Sequence, residues 1–187
     1  MRASKSGRHT TESEEEEMES GEERSSAQEA HDPFELLKTD HRRVEELFSS
    51  FENADKRTKP GIAEEVLTQL EIHAAIEEEL VYPAIREAID DHDMVDEAKE
   101  EHHVAKLLIK ELRKMDASED EFAPKFKVLG EIVRHHAEEE EQEMFPRAEE
   151  ANLEKVELGE KVVKRKDQLM LKHERSGKKS TVRRKAA

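Results

Sequence analysis

Two stretches of the sequence repeat the same set of residues that could bind metal ions. In the first, Glu77 follows His73 by four residues; in the second, Glu140 follows His136 by four; and a proline follows each histidine by ten. Four residues are about one turn of an α-helix, so each imidazole shares a helix face with its carboxylate. A single pair of this kind is common on acidic helices, but its duplication predicts a site for two neighbouring metal ions.

Two further histidines, His41 and His102, lie in the middle of apolar stripes that predict two other helices. His102 lines up with valine, alanine and isoleucine, whereas the adjacent His103 shares its face with aspartate and lysine. His102 is therefore predicted to face the core. His136 is preferred to its neighbour His135 because only His136 has both the glutamate at four residues and the proline at ten.

Four imidazoles and two carboxylates in an apolar core cost free energy unless each is paired or coordinated. Iron, manganese and zinc all accept nitrogen and oxygen ligands. The absence of cysteine excludes thiolate metal sites, iron–sulfur clusters and disulfides. The simplest hypothesis gives each metal ion two histidines, with Glu77 and Glu140 bridging the two ions. This arrangement leaves an open position for water, O2, peroxide or nitric oxide.

Four apolar stripes of similar length, joined by short connections, predict an all-α protein folded as an antiparallel up-down four-helix bundle. The second helix is expected to continue past Pro83 with a kink. A fifth, shorter helix is predicted from about 153 to 172. Because helices one and two align with helices three and four, two equivalent half-sites are expected to face each other across the bundle axis.

Composition divides the chain into three segments. Residues 1–30 are rich in serine, glutamate and glycine, which predicts a disordered acidic segment. Residues 31–150 hold the predicted bundle, and residues 151–187 hold the short helix followed by a basic tail. From 161 to 187, eleven Lys and Arg residues face two acidic ones, a net charge of about +9. Both termini are therefore expected to be disordered.

Net charge and hydropathy limit the classes of partner that the chain is expected to bind. A net charge of −16 disfavours nucleic acid as a partner of the bundle, and a solvated tail is the preferred interpretation of the basic end. No apolar run approaches the roughly 18–20 residues needed to cross a bilayer, so no membrane partner is expected. The first residues lack the apolar core of an export signal, which favours a cytoplasmic location. The sequence indicates a small diatomic ligand or peroxide as the partner and identifies no protein partner.

Four motifs in order carry a resemblance to a known family: DHRRVEELF (40–48), HAAIEEELVYP (73–83), EHHVAKLLIKEL (101–112) and HHAEEEEQEMFP (135–146). Over about residues 32–150 the chain resembles the hemerythrin-like, or HHE cation-binding, domain. The resemblance implies a non-haem di-iron centre with two oxo- or hydroxo-bridged iron ions. The ligands that it implies are His41, His73, Glu77, His102, His136 and Glu140.

The sequence departs from the oxygen-carrying hemerythrins at two positions. Those proteins have a further histidine four residues after the third-helix ligand, where this chain has Lys106, and their last carboxylate is usually an Asp five residues after its histidine, where this chain has Glu140 at four. The chain is more similar to the bacterial HHE branch, which includes iron–sulfur repair, peroxide-decomposing and redox-responsive proteins. Reversible O2 transport is therefore not the expected function.

The resemblance implies three functions. The first is a module that binds or responds to O2, nitric oxide or peroxide; the second is a peroxide-decomposing, catalase-like enzyme; and the third is iron storage or delivery. Whether the chain is an enzyme stays open, and the absence of cysteine weighs against iron–sulfur repair. Tyr82 and Phe145, which precede the two prolines, are interpreted first as core packing and second as lining of a ligand pocket.

Overall fold

The fold is all-α, as predicted. The computed structural model describes residues 32–185, with side chains described as far as residue 176, and this part of the chain contains helices and their connections without any strand. The predicted acidic segment 1–30 lies outside the described residues. Within 32–185, no helix combines the length and the apolar character that crossing a membrane requires.

The helices follow in the order that the apolar stripes predict. Two of them contain a single turn of π-helix, here called π1 and π2, between two α-helical parts. The elements are α1 (Pro33–Asn53), α2 (Lys59–Ile76), π1 (Glu77–Val81), α3 (Tyr82–Ala88), α4 (Asp93–Leu112), α5 (Phe122–Glu139), π2 (Glu140–Met144), α6 (Phe145–Glu150) and α7 (Lys155–Lys185).

The π turns explain how two of the helices accommodate Pro83 and Pro146. A proline within a helix has no N–H and its ring clashes with the carbonyl four residues earlier, so a plain α-helix cannot continue through it unchanged. Here the backbone widens just before each proline, and the Tyr82 and Phe145 N–H groups donate to the carbonyls of Glu77 and Glu140, five residues earlier. Each π turn therefore begins at a predicted metal ligand, and π turns of this kind are frequent at functional sites.

Two apolar clusters hold the bundle together, one on either side of the polar centre. The cluster at one end includes Phe34, Ile76 and Phe145, and the cluster at the other includes Phe51, Phe126 and Leu129. Asp32 caps α1 at the first end, because its Oδ1 accepts the Phe34 N–H at 3.0 Å. The bundle thus leaves a polar layer between two close-packed apolar layers.

The C-terminal helix is longer than the sequence predicts. The prediction from about 153 to 172 followed the apolar residues, whereas α7 continues to Lys185 because no proline interrupts it after Pro146. Its buried residues Leu158 and Val162 pack into the first apolar cluster. Arg165 also forms a two-armed ion pair with Glu79 of π1, at 2.7 and 2.8 Å.

A pair of neighbouring residues tests how much the second cluster contributes. Leu129 is fully buried in α5, whereas the adjacent Val128 is 46% exposed. Leu129→Ala should lower the free energy of unfolding by about 2–5 kcal/mol because it leaves a cavity. Val128→Ala, the matched control, should change it by no more than about 0.5 kcal/mol. Urea unfolding followed by circular dichroism measures both; equal effects would contradict the described orientation of α5.

Candidate metal centre

The structure brings all six predicted ligands together in the polar layer, and it buries each of them. They come from every helix of the bundle, and their relative exposure ranges from 0% for Glu77 to 9% for His41. The six are His41 on α1, His73 on α2, Glu77 on π1, His102 on α4, His136 on α5 and Glu140 on π2. Their assignment as metal ligands remains a prediction, and the geometry below shows how they are arranged.

The four histidines form two pairs whose Nε2 atoms face each other. The Nε2 atoms of His41 and His73 are 2.9 Å apart, and those of His102 and His136 are 3.0 Å apart. The first pair joins α1 to α2 and the second joins α4 to α5, so each pair belongs to one half of the sequence repeat.

The two buried carboxylates connect the histidine pairs. Oε1 of Glu77 lies 2.9 Å from Nε2 of His73, and its Oε2 lies 3.3 Å from Nε2 of His102. Oε2 of Glu140 lies 3.4 Å from Nε2 of His41 and 3.7 Å from Nε2 of His136. Each carboxylate therefore reaches both pairs, which is the placement that the bridging hypothesis requires.

In three of the histidines, the Nδ1 atom contacts a further carboxylate, while the Nε2 atom faces the centre. The sequence analysis did not identify these carboxylates. The Nδ1 contacts are Glu141 with His41 at 2.8 Å, Glu78 with His102 at 3.0 Å and Glu101 with His136 at 2.7 Å. A carboxylate on Nδ1 keeps the proton on that atom and leaves Nε2 free as a ligand, the usual arrangement behind metal-bound histidine. The signal was present in the sequence, because each of these acids is the immediate neighbour of a predicted ligand.

The fourth histidine, His73, has a more distant acid behind it. Its Nδ1 lies 3.8 Å from Oδ2 of Asp40, which is beyond hydrogen-bond distance, and Asp40 forms an ion pair with Lys166 of α7. Burial alone raises the pKa of Asp40, but the neighbouring His73 and Lys166 outweigh it and lower that pKa. The C-terminal helix α7 therefore contacts, through Lys166, the acid that lies nearest to Nδ1 of the predicted ligand His73.

The donor set fits a pair of cations. In the His102–His136 pair both Nδ1 atoms face outer carboxylates, so two neutral rings would present only lone pairs at their facing Nε2 atoms, and no hydrogen bond can join two lone pairs. In the other pair, Nδ1 of His73 is buried without a hydrogen-bond partner. Both oxygens of Glu77 and Oε2 of Glu140 are also buried without receiving a hydrogen bond. Buried carboxylates without partners cost several kcal/mol. A cation between each imidazole pair would satisfy the nitrogens and the carboxylates together.

Without cations, protons must provide the balancing charge. Burial, the largest single effect, lowers the pKa of His73, but the carboxylates of Glu77, Asp40 and Glu140 together outweigh it and raise that pKa to about 10. Burial likewise lowers the pKa of His136, but the carboxylates of Glu140, Glu101 and Glu77 together raise it to about 9. Burial raises the pKa of Glu77, yet His73 and His102 together hold it well below its usual range. In the metal-free centre, His73 and His136 therefore carry an extra proton at neutral pH beside the ionised Glu77 carboxylate.

The two half-sites differ at the residue that precedes each proline. The Tyr82 hydroxyl donates to Oε1 of Glu140 at 2.9 Å and lies 3.3 Å from Nε2 of both His102 and His136. In the other half, the Phe145 ring lies parallel to His41 with centroids 6.4 Å apart. Burial and the charge of Glu140 raise the pKa of Tyr82 well above its usual value, so its hydroxyl keeps its proton. The two half-sites, which the repeat predicted to be equivalent, therefore differ at Tyr82 and Phe145.

A small apolar cavity of about 30 Å³ adjoins the histidines. Its aliphatic lining comes from Val44, Leu70, Ala105, Ile109, Ile132 and Val133. Lys106, where the oxygen carriers have a further histidine, also lines it but forms an ion pair with Glu78.

The two histidines that the sequence analysis placed outside the core lie at the surface. His103, next to His102, is exposed, and the side chain of His135, next to His136, is 65% exposed.

The comparisons with known proteins agree with this geometry. The model of the hemerythrin HHE cation binding domain matches residues 32–148, and the chain belongs to this family. The crystal structure of a hemerythrin HHE cation binding domain-containing protein from Mycobacterium kansasii is similar, with a TM-score of 0.64 and 28% identity. That similarity covers 74% of this chain and 86% of the other.

A curated relative is a DNA nickase from Nostoc sp., which is 28% identical over 113 residues. The match covers 59% of this chain but only 31% of the nickase, so the chain spans about a third of that relative's length. The similarity therefore concerns one part of a larger protein.

Adjacent histidines offer a direct test of the ligand assignment. His102→Asn should weaken binding of Zn²⁺, used as a redox-inert probe, by more than the roughly 10–100-fold that loss of an outer partner costs, because a nitrogen ligand is removed. His103→Asn, the matched control, should leave binding unchanged because His103 is exposed. Isothermal titration calorimetry measures both. Equal loss in the two variants would contradict the assignment.

Metal uptake should release protons and strengthen with pH. The raised pKa values, about 10 for His73 and about 9 for His136, mean that both imidazoles carry a proton at pH 7 that a cation must displace. Affinity should therefore rise with pH from 7 towards 9 and fall as the pH drops below 7. Calorimetry of Zn²⁺ binding in buffers of different ionisation enthalpy counts the released protons. Proton uptake, or binding that is independent of pH, would contradict the described electrostatics.

Proposed function

We propose that this chain is a non-haem di-iron protein that binds or responds to O2, nitric oxide or peroxide at a four-histidine, two-glutamate site. The observation that carries the proposal is the pair of facing Nε2 contacts joined by two buried carboxylates, Glu77 and Glu140. His41 and His73 would hold one ion, and His102 and His136 the other.

The chemistry of the donors supports iron. Imidazole and carboxylate suit iron, and nitrogen and oxygen donors with open positions are typical of non-haem iron sites that act on O2. Two carboxylates supply two of the four negative charges that would neutralise two divalent ions, and two nitrogens with shared oxygens leave each ion able to take an outside ligand. Bound iron would supply the change of oxidation state that the protein's own side chains cannot.

The cavity supports a small ligand. A volume of about 30 Å³ matches roughly one water-sized molecule, and its aliphatic lining favours a weakly polar diatomic molecule over an anion or an organic substrate. This small volume argues against iron storage, because a mineral core has no room there. A binding or sensing role is therefore the first choice.

Tyr82 favours a second candidate, a peroxide-decomposing enzyme. Its hydroxyl is a proton donor at one half-site, within 3.3 Å of Nε2 of His102 and His136, and its hydrogen bond to Glu140 fixes its direction. Splitting the oxygen–oxygen bond of peroxide requires a proton for the departing oxygen, and a positioned acid accelerates such steps. Tyr82 would hold that proton at its hydroxyl oxygen.

The candidate centre of this chain does not suit the nickase activity for which the Nostoc relative is named. The candidate centre lies inside the bundle, where its six ligands are at most 9% exposed, so a nucleic-acid strand could not reach it. The net charge of −16 also opposes a phosphate backbone. Small molecules remain the proposed partners.

Anaerobic loading with Fe²⁺ tests the proposal. The loaded protein, exposed to O2 or nitric oxide, should develop near-ultraviolet and visible absorption bands of a ligand-bound or oxidised iron pair. The same protein loaded with Zn²⁺ is the control and should develop none. A spectrum unchanged from that of the metal-free protein would contradict a di-iron site.

Peroxide separates the two candidate functions. The catalase-like candidate predicts oxygen evolution well above that of free iron, and a Tyr82→Phe variant should lower the rate while retaining bound iron. A wild type that evolves no more oxygen than free iron would exclude the enzyme and leave the binding or sensing module.

A further inference from the structure

An acidic cleft opens on one side of the candidate centre, between α4 and the helix formed by α5 and π2. Its volume is about 230 Å³, and His136 and Glu140 lie among the residues that line it. The carboxylates lining it are Asp91, Asp93, Glu97, Glu101, Glu139, Glu140 and Glu143. Arg147 also lines it but is paired with Asp91 at 2.5 Å. The cleft is therefore a path of negative charge from solvent to two predicted ligands.

In the other half of the repeat, the corresponding surface is lined by apolar residues instead of acidic ones. Aligning His41 with His102 and His73 with His136 places apolar residues where the cleft has ionisable ones. The corresponding pairs are Leu36 with Glu97, Ile76 with Glu139 and Leu80 with Glu143, and Ile72 corresponds to His135, which lies next to the cleft residue His136. In the first half, α7 packs over these apolar residues through Leu158 and Val162. One side of the centre is closed by a helix, and the equivalent side is open and lined by donors.

Three side chains at the outer part of this surface are arranged as a metal site. Glu101, His135 and Glu139 each place one donor atom within 4.8 Å of the others. Nε2 of His135 lies 3.4 Å from Oε1 of Glu139, and both side chains are accessible, at 65% and 44% exposure. Two carboxylates with one imidazole form a donor set suited to a divalent transition-metal ion.

One hydrogen bond and the cleft itself connect this outer cluster to the buried centre. Glu101 belongs to both, because its Oε2 bonds Nδ1 of His136 at 2.7 Å. Glu140, which also lines the cleft, is 1% exposed, and its Oε2 receives no hydrogen bond from the described residues. The inner end of the cleft is thus lined by a predicted ligand of the buried centre that has an unpartnered carboxylate oxygen.

We propose that Glu101, His135 and Glu139 form an outer binding site for a divalent transition-metal ion, and that the ion reaches the buried centre from this site along the cleft. The destination rests on the proposed function, whereas the outer site stands on its own donors. Negative charge lining a cleft raises the local concentration of cations and their association rate.

The rate of metal uptake by the full chain tests the proposal. Co²⁺, which is stable in air and coloured when bound, is mixed with metal-free protein and its uptake followed by stopped-flow absorbance. The double variant His135→Asn/Glu139→Gln should fill the centre roughly tenfold more slowly, with the same final amount of bound Co²⁺. Glu101 is left unchanged because it also holds His136.

The matched control is His103→Asn/Glu131→Gln. It makes the same chemical changes at exposed positions outside the cleft and should fill as fast as the wild type. A cleft variant that fills at the wild-type rate, or a control that slows equally, would overturn the outer site alone. A wild type that takes up no Co²⁺ would overturn the proposed function and the route together.

A direct measurement of the outer site complements the rates. With the centre already filled by Zn²⁺, added Mn²⁺ should broaden the imidazole NMR signals of His135 in the wild type and in Glu131→Gln. The broadening should vanish in Glu139→Gln. Broadening that persists in Glu139→Gln, or that is absent from the wild type, would show that these residues do not bind the ion.

Discussion

The structure depends on two carboxylates, Glu77 and Glu140, that are buried between four imidazoles in the middle of a helical bundle. Such a group is stable only if positive charge lies among its members, whether protons or metal ions. The nearby carboxylates raise the pKa of His73 to about 10 and that of His136 to about 9, which favours the positively charged form of both imidazoles. Everything around the centre, from the outer carboxylates to the two apolar clusters, holds these six groups in contact.

The internal repeat explains both the symmetry of the centre and its exceptions. Each half contributes a histidine pair and one carboxylate, and each carboxylate begins a π turn that ends two residues before a proline. The two halves differ in two features, the residue that precedes each proline and the covering of the centre at its surface. Tyr82 provides a proton donor at one half-site and Phe145 does not at the other, and α7 covers one side of the centre while the equivalent side stays open.

The bundle and the six central residues were predictable because their signals are local. A histidine in an apolar stripe, with a glutamate one turn later, already indicates a buried polar pair. The outer carboxylates were not predictable in the same way, since Glu78 and Glu141 lie in acidic runs whose members look alike until the helices pack. The length of α7 was missed because a polar helix without proline has no apolar period to mark its end, and the role of Tyr82 depends on contacts across the bundle.

Anomalous X-ray scattering at the iron absorption edge tests the central claim most directly. Crystals of the iron-loaded protein, measured just above and just below the edge, should give two anomalous peaks per chain. One peak should lie between His41 and His73 and the other between His102 and His136, with both Glu77 and Glu140 in contact with each. A single peak, or peaks only on the protein surface, would contradict a metal pair at the buried centre.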